Sequence, residues 1–100
     1  MVPTITKYYA ETFRVGVDFS ELLAEGETLD ATACQVAALA SDGTDVTDQM
    51  LENPTVQQDT VLSVRLKANG GEVGSRYRLR FVGGTTSGDV FEEDLWLVVV

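Results

Sequence analysis

Apolar and polar residues alternate with a period of two over much of the chain, and this alternation is its clearest signal. Three segments carry it, at 13–19, 62–68 and 76–81. The apolar positions are Phe13, Val15, Val17 and Phe19 in the first, Leu62, Val64, Leu66 and Ala68 in the second, and Tyr77, Leu79 and Phe81 in the third. This pattern predicts half-buried antiparallel strands, each with one dry face and one solvated face.

Glycine-rich and polar turn signals separate these segments and predict an all-β chain. The predicted strands are 11–19, 28–38, 44–47, 54–58, 60–68, 76–83 and 90–99. Seven strands in 100 residues indicate one domain, residues 1–100, with an immunoglobulin-like antiparallel β-sandwich fold. The alternation of the second strand is imperfect, so we expect an irregularity near Asp30, with Thr32, Cys34 and Val36 pointing inward.

Tyr77 stands at the start of the sixth predicted strand, directly after the long turn at 68–75. At this position a tyrosine corner would form, with the hydroxyl group bonded to the backbone a few residues upstream. The alternative is a core aromatic residue whose hydroxyl group reaches solvent.

Three of the seven basic residues lie on the strand 76–83, at alternate positions, and the strand 90–99 returns beside it. One hairpin register places Arg80 opposite Glu92, Arg78 opposite Asp94 and Arg76 opposite Trp96. A register shifted by two residues places Arg80 opposite Asp94 and Arg78 opposite Trp96. In both registers the arginines face acids and an indole ring. One explanation of the arginine row is therefore an outer sheet face on which the arginines pair with residues of the neighbouring strand.

The C-terminal stretch 95–100 is apolar on both faces and supports a second explanation. If Leu95 and Leu97 point inward, Trp96 and Val98 point outward; the alternative places Trp96 in the core and the two leucines outside. Either arrangement leaves an apolar stripe beside the arginines, which predicts a contact with another molecule. The candidate interface residues are Trp96, Val98, Val100, Arg76 and Arg78.

Composition narrows the function. The chain has 16 acidic and 7 basic residues and a net charge of −9, which argues against nucleic acid and against an anionic membrane as partners. It has no histidine, and its single cysteine, Cys34, has no partner for an internal disulfide, which indicates a reducing cytosol. The segment 1–13 does not look like a signal peptide, and the apolar run 95–100 is too short to cross a bilayer.

The acidic and nucleophilic residues do not form a catalytic or metal-binding motif. A calcium loop starting at Asp42 would need glycine at its sixth place and glutamate at its twelfth, where the sequence has Thr47 and Asn53. The serines have no histidine to activate them, and Cys34 lies in an apolar segment that favours a small buried residue over a nucleophile. We therefore expect a protein that is not an enzyme and has no cofactor or metal.

Several short motifs of turns and strand starts follow one another along the chain. Residues 18–20 close the first strand before Gly26–Leu29 open the next, the strand 62–66 leads into Gly70 and Gly71, and Gly74 and Tyr77 then open another strand. These motifs resemble a group of small bacteriophage virion proteins with an immunoglobulin-like fold, which are fibre–tail adaptors or phage-related proteins of unknown function. The resemblance implies a structural role without catalysis. It also implies other virion subunits or copies of the chain as partners, and a location in the bacterial cytoplasm and then in the virion.

A carbohydrate- or other ligand-binding sandwich is the alternative function. Such a module needs exposed aromatic residues arranged as a platform, and the candidates in this sequence are Tyr8, Tyr9 and Trp96.

Overall fold

The computed structural model describes residues 3–100, which form two β-sheets packed face to face. The strands are β1 Thr4–Lys7, β2 Phe13–Asp18, β3 Gln35–Leu39, β4 Leu51–Gln57, β5 Val61–Leu66, β6 Arg76–Gly84 and β7 Val90–Val99. A 3₁₀ turn, Ala31–Ala33, precedes β3, and a single helical turn, α1 Thr47–Met50, precedes β4. The predicted all-β sandwich is confirmed.

One sheet has four strands in the order β1-β7-β6-β3, and the other has three in the order β2-β5-β4. The inward residues of the alternating strands meet between the sheets, as in other sandwiches. Among them Phe19, Leu79, Phe81, Leu97 and Val99 are fully buried. The hydrophobic residues predicted to point inward on β5 and β6 do so, because each of these strands has one apolar face to bury. Of the two arrangements predicted for β7, the structure has the one with Leu95 and Leu97 pointing inward.

Strand β1 was not predicted, and it changes the topology. It pairs with β7 in parallel, with Thr4 opposite Trp96 and Lys7 opposite Val99, so the sandwich is not wholly antiparallel. Lys7 points inward and is 1% exposed. Its ammonium group donates hydrogen bonds to the carbonyl oxygens of Tyr8 (3.2 Å) and Tyr9 (2.9 Å). A short strand with an inward lysine does not show the apolar alternation by which strands are recognised.

The predicted strand 28–38 is interrupted, near the position that the sequence indicated. Asp30 accepts hydrogen bonds from the backbone and hydroxyl of Thr32 and caps the 3₁₀ turn, so β3 begins only at Gln35. The prediction for Thr32 was wrong, because the turn exposes its side chain, while Cys34 is half-buried and Val36 is buried.

The prediction of a strand at 44–47 was also wrong. Only an isolated bridge joins Asp45 to Leu39, and the chain then enters α1. The carboxylate of Asp45 accepts hydrogen bonds from the backbone N–H and hydroxyl of Thr47, which favours a turn over an extended chain. Ala68, predicted to point inward after β5, lies in a turn and is exposed.

Candidate interaction surface

The candidate surface is the outer face of the four-stranded sheet where β6 and β7 lie side by side. Arg78 lies opposite Trp96, Arg80 opposite Asp94, and Arg76 opposite Val98, which is the shifted one of the two predicted registers. Because Leu95, Leu97 and Val99 are buried, the alternate residues of β7 point to the outside. We call this surface the arginine–tryptophan face, and it comprises Arg76, Arg78, Trp96, Val98 and Val100.

Two guanidinium groups lie over the indole ring of Trp96. The central carbon of the Arg76 guanidinium is 4.1 Å from the ring centroid, and that of Arg78 is 4.7 Å from it. Both distances fall within the range of cation–π contacts, which contribute about 0.5–1 kcal/mol at exposed sites and more where water is excluded. The indole is half-buried, and both guanidinium groups lie against its ring.

Acids neutralise part of the arginine row. The guanidinium of Arg80 lies 3.3 Å from the carboxylate of Glu92 and 3.5 Å from that of Asp94, and Arg78 lies 3.8 Å from Asp94. These pairs are partly exposed, and such pairs contribute about 0–1 kcal/mol. Within residues 3–100 no carboxylate pairs with Arg76, which therefore keeps its charge available for a partner.

The structure adds a neighbouring strand to this face that the sequence did not reveal. With β1 and β6 on either side of it, β7 is an inner strand, so a partner would meet a flat face of side chains and not an open strand edge. One row of the face runs across four strands through Leu39, Arg78, Trp96 and Thr4. Val98 is half-buried, whereas Val100, just beyond β7, is 41% exposed.

The aromatic residues considered for a ligand platform do not lie together. Tyr8 and Tyr9 are 67% and 39% exposed and follow β1 at the end of the sheet where Val100 lies, with the Tyr9 N–H donating to the Val100 carbonyl oxygen. Trp96 lies opposite Thr4, four positions before Tyr8, and two arginines already cover its ring. A sugar therefore finds no row of free aromatic rings to stack on among the described residues.

Comparison with known families identifies the chain. Residues 7–98 match the model of the family described as "Podophage GP4 fiber-tail adaptor protein gp77". The chain belongs to this family. The predicted resemblance to small phage virion proteins is confirmed, and the chain is a structural component of a phage tail.

A solved structure supports the fold of this family member. The crystal structure of CopC from Methylosinus trichosporium OB3b is similar to it with a TM-score of 0.59 and 19% identity, covering 98% of this chain and 82% of that one. At this identity the likeness concerns the β-sandwich alone. No match was found among curated proteins.

The tyrosine corner predicted from the sequence concerns Tyr77, at the start of β6. The buried Tyr77 accepts a hydrogen bond of 2.9 Å from the backbone N–H of Glu72, five residues upstream. Gly71 allows the ring to approach, because a side chain there would meet the ring carbons at 3.0 Å. That this bond contributes to stability stays a prediction.

Cys34 lacks the surroundings of a nucleophile. Its thiol donates a weak hydrogen bond to the Gly84 carbonyl oxygen at 3.6 Å, and burial raises its pKa. A raised pKa lowers the fraction of reactive thiolate. Across residues 3–100 no three histidine, cysteine or acidic residues are grouped in a way that could hold a metal ion, and no helix there is long and apolar enough to cross a membrane.

Proposed function

We propose that this chain is a non-catalytic adaptor that docks a neighbouring virion subunit through the arginine–tryptophan face. The observation that carries the proposal is the stack of Arg76 and Arg78 on Trp96 beside Val98 and the exposed Val100. The chain would be made in the bacterial cytoplasm, fold as one domain and then join the virion.

The chemistry of this face is that of a protein-binding surface. Tryptophan and arginine are the residue types most enriched among those that dominate binding energy, and stacking fixes both before a partner arrives. Covering Val98 and Val100 would remove apolar area from water at about 25 cal/mol per Å². A partner that suits the face carries an apolar patch for the valines and a carboxylate at its rim for Arg76.

The double substitution Trp96→Ser with Val98→Thr tests this function, because both new residues are compatible with a strand. Attachment of the purified chain to phage particles assembled without it would be measured together with thermal melting. We expect the substituted chain to remain folded and to attach much more weakly than the wild type. Arg80→Gln is the matched control, because Arg80 lies on the same face but is already paired with acids.

One result would contradict the proposal, and another would pass the decision to a second variant. Unchanged attachment of the double variant would mean that the residues of this face interact only with one another and that the interface lies elsewhere. Complete unfolding of the double variant would assign Trp96 to the stability of the fold, in which case Arg76→Ala, at an exposed position, decides whether the face binds.

A further inference from the structure

The opposite sheet carries a second group of basic residues, on its own outer face. Arg14 on β2 and Arg65 on β5 are direct cross-strand neighbours. Arg65 points outward, because the residues on either side of it, Val64 and Leu66, are buried, and Arg14 opposite it shares that face. Like charges directly opposite each other destabilise a sheet. A chain with seven basic residues nevertheless places two of them in this arrangement.

Arg14 is held in place by hydrogen bonds to neutral groups. Its guanidinium donates to the carbonyl oxygen of Asn53 (2.6 Å) and to the hydroxyls of Thr55 (3.0 Å) and Ser63 (3.2 Å). The Asn53 carbonyl belongs to an irregular part of β4, where the register with β5 shifts between Glu52 and Thr55. The positive charge of Arg14 is thus fixed on the sheet without being neutralised.

Arg65 keeps its donors available. Glu52 lies opposite it on β4, yet within residues 3–100 no carboxylate pairs with either Arg65 or Arg14. This differs from the other sheet, where Arg78 and Arg80 both pair with acids. Of these two cross-strand neighbours, one is held in place and the other has its donors available, and guanidinium groups bind carboxylates through paired hydrogen bonds.

The same chain also carries a surface with the complementary charge. Three connections meet at one end of the sandwich: the Phe19 N–H bonds to Thr60, the Leu29 N–H to Asp59 and the Thr86 N–H to Thr28, each through a carbonyl oxygen. We call the segments 18–31, 57–60 and 84–90 the acidic end. They hold no basic residue, and their acids are Asp18, Glu21, Glu25, Glu27, Asp30, Asp59 and Asp89.

We propose that the Arg14–Arg65 pair is a carboxylate-binding site that receives the acidic end of a second copy of this chain. Within one molecule the two surfaces do not meet: Asp18 is four strand positions from Arg14, or about 13 Å, and forms no ion pair with it. Contacts between copies would therefore be head-to-tail, which builds a ring or a filament. This inference does not depend on the arginine–tryptophan face.

Variants in which the charge of one surface is reversed test the proposal, first each variant alone and then the two variants mixed. Sedimentation velocity at physiological salt would compare wild type, Arg65→Glu, and the double variant Glu21→Lys with Glu25→Lys. We expect the wild type to self-associate and each variant alone to associate at least about tenfold more weakly. A mixture of the two variants should associate again, because each supplies the surface that the other lacks.

Controls separate this contact from other causes. Arg76→Glu changes the net charge as Arg65→Glu does, but on the opposite sheet, and should associate like the wild type. Trp96→Ser with Val98→Thr should also self-associate normally, which keeps this result distinct from that of the proposed docking face. Arg65 is the residue to change because Arg14 also holds the Asn53 carbonyl, and Arg65→Gln replaces Arg65→Glu if melting shows that the reversal unfolds the chain.

Three outcomes would overturn the proposal. A wild type that stays monomeric at every concentration would exclude a second copy as the occupant. Self-association that Arg65→Glu and Arg65→Gln leave unchanged would place the contact elsewhere. Failure of the mixed variants to associate, when each is folded, would show that the arginine pair and the acidic end do not bind each other.

Discussion

At the scale of single residues, the hydroxyl group of Tyr77 contributes a hydrogen bond that can be removed without changing the ring. We expect Tyr77→Phe to lower the free energy of unfolding by about 1–2 kcal/mol, because the Glu72 N–H then loses its partner. Urea denaturation would measure the change, with Tyr8→Phe at an exposed position as the control. An unchanged midpoint for Tyr77→Phe would show that Tyr77 acts only as a core ring.

The buried Lys7 makes the free energy of unfolding depend on pH in the alkaline range. Burial lowers its pKa below the ordinary 10.5, and the charge of Glu11 partly opposes this effect. Between the lowered folded pKa and 10.5 the unfolded chain binds more protons than the folded one, so stability rises with pH in that window. We expect the stability of the wild type relative to Lys7→Met to increase across it.

Chemical denaturation at a series of alkaline pH values would measure this difference. Lys67→Met serves as the control for loss of a lysine outside the core. A constant difference between wild type and Lys7→Met would mean that burying the charged amine does not destabilise the fold.

At the scale of elements, the end of β6 lies directly against the 3₁₀ turn at Ala31–Ala33. A side chain at Gly84 would come within 2.6 Å of both the Cβ atom and the carbonyl oxygen of Ala33. We expect Gly84→Ala to destabilise the fold by about 1–3 kcal/mol, because overpacking forces the backbone to shift. Thermal melting would measure this, with the exposed Thr86→Ala as control, and equal melting of both variants would contradict the close packing.

The strands that the sequence predicted well are those with unbroken alternation. Strands β2, β5 and β6 fall within two residues of the predicted 11–19, 60–68 and 76–83, because each carries apolar residues at alternate positions on one face. Strand β7 also matches the predicted 90–99, although its last residues are apolar on both faces. The outward row of Arg76, Arg78 and Trp96 could be predicted for the same reason. The choice between two registers needed the structure, since both place arginines beside acids.

The elements that were missed depend on polar groups whose partners lie elsewhere in the fold. A lysine such as Lys7 is expected to be exposed to solvent, yet its ammonium group donates hydrogen bonds to carbonyl oxygens of the following turn. The side chains of Asp30 and Asp45 bond to the backbone two residues later and replace extended chain by turns. The arginine pair on the second sheet was not recognised, because Arg14 and Arg65 become neighbours only when β2 pairs with β5.

At the scale of the whole molecule, acid should destabilise the sandwich through its turns. Hydrogen bonds from nearby threonine or serine residues lower the pKa values of Asp18, Asp30, Asp42 and Asp45 below the ordinary 3.8. Their stabilising contribution is present above 3.8 and is lost as the pH falls through the lowered folded values.

The variant Asp45→Asn tests this contribution, since it removes one such carboxylate next to α1. We expect its stability to fall less steeply than that of the wild type as the pH drops below 3.8, measured by urea denaturation. Glu25→Gln, in an exposed turn, is the control. Parallel loss of stability in Asp45→Asn and the wild type would refute a contribution from this turn.

The parallel pairing of β1 with β7 also bears on how fast the chain folds. It joins Thr4 to Trp96 across more than ninety residues, so this contact has one of the largest loop-closure costs in the molecule. Chains with many such distant contacts fold slowly. Trp96 lies on β7 and Arg76 and Arg78 lie on β6, so the surface proposed for docking exists only after both strands have been made and paired. Partly synthesised or partly folded chains would then lack it, and assembly would select completed molecules.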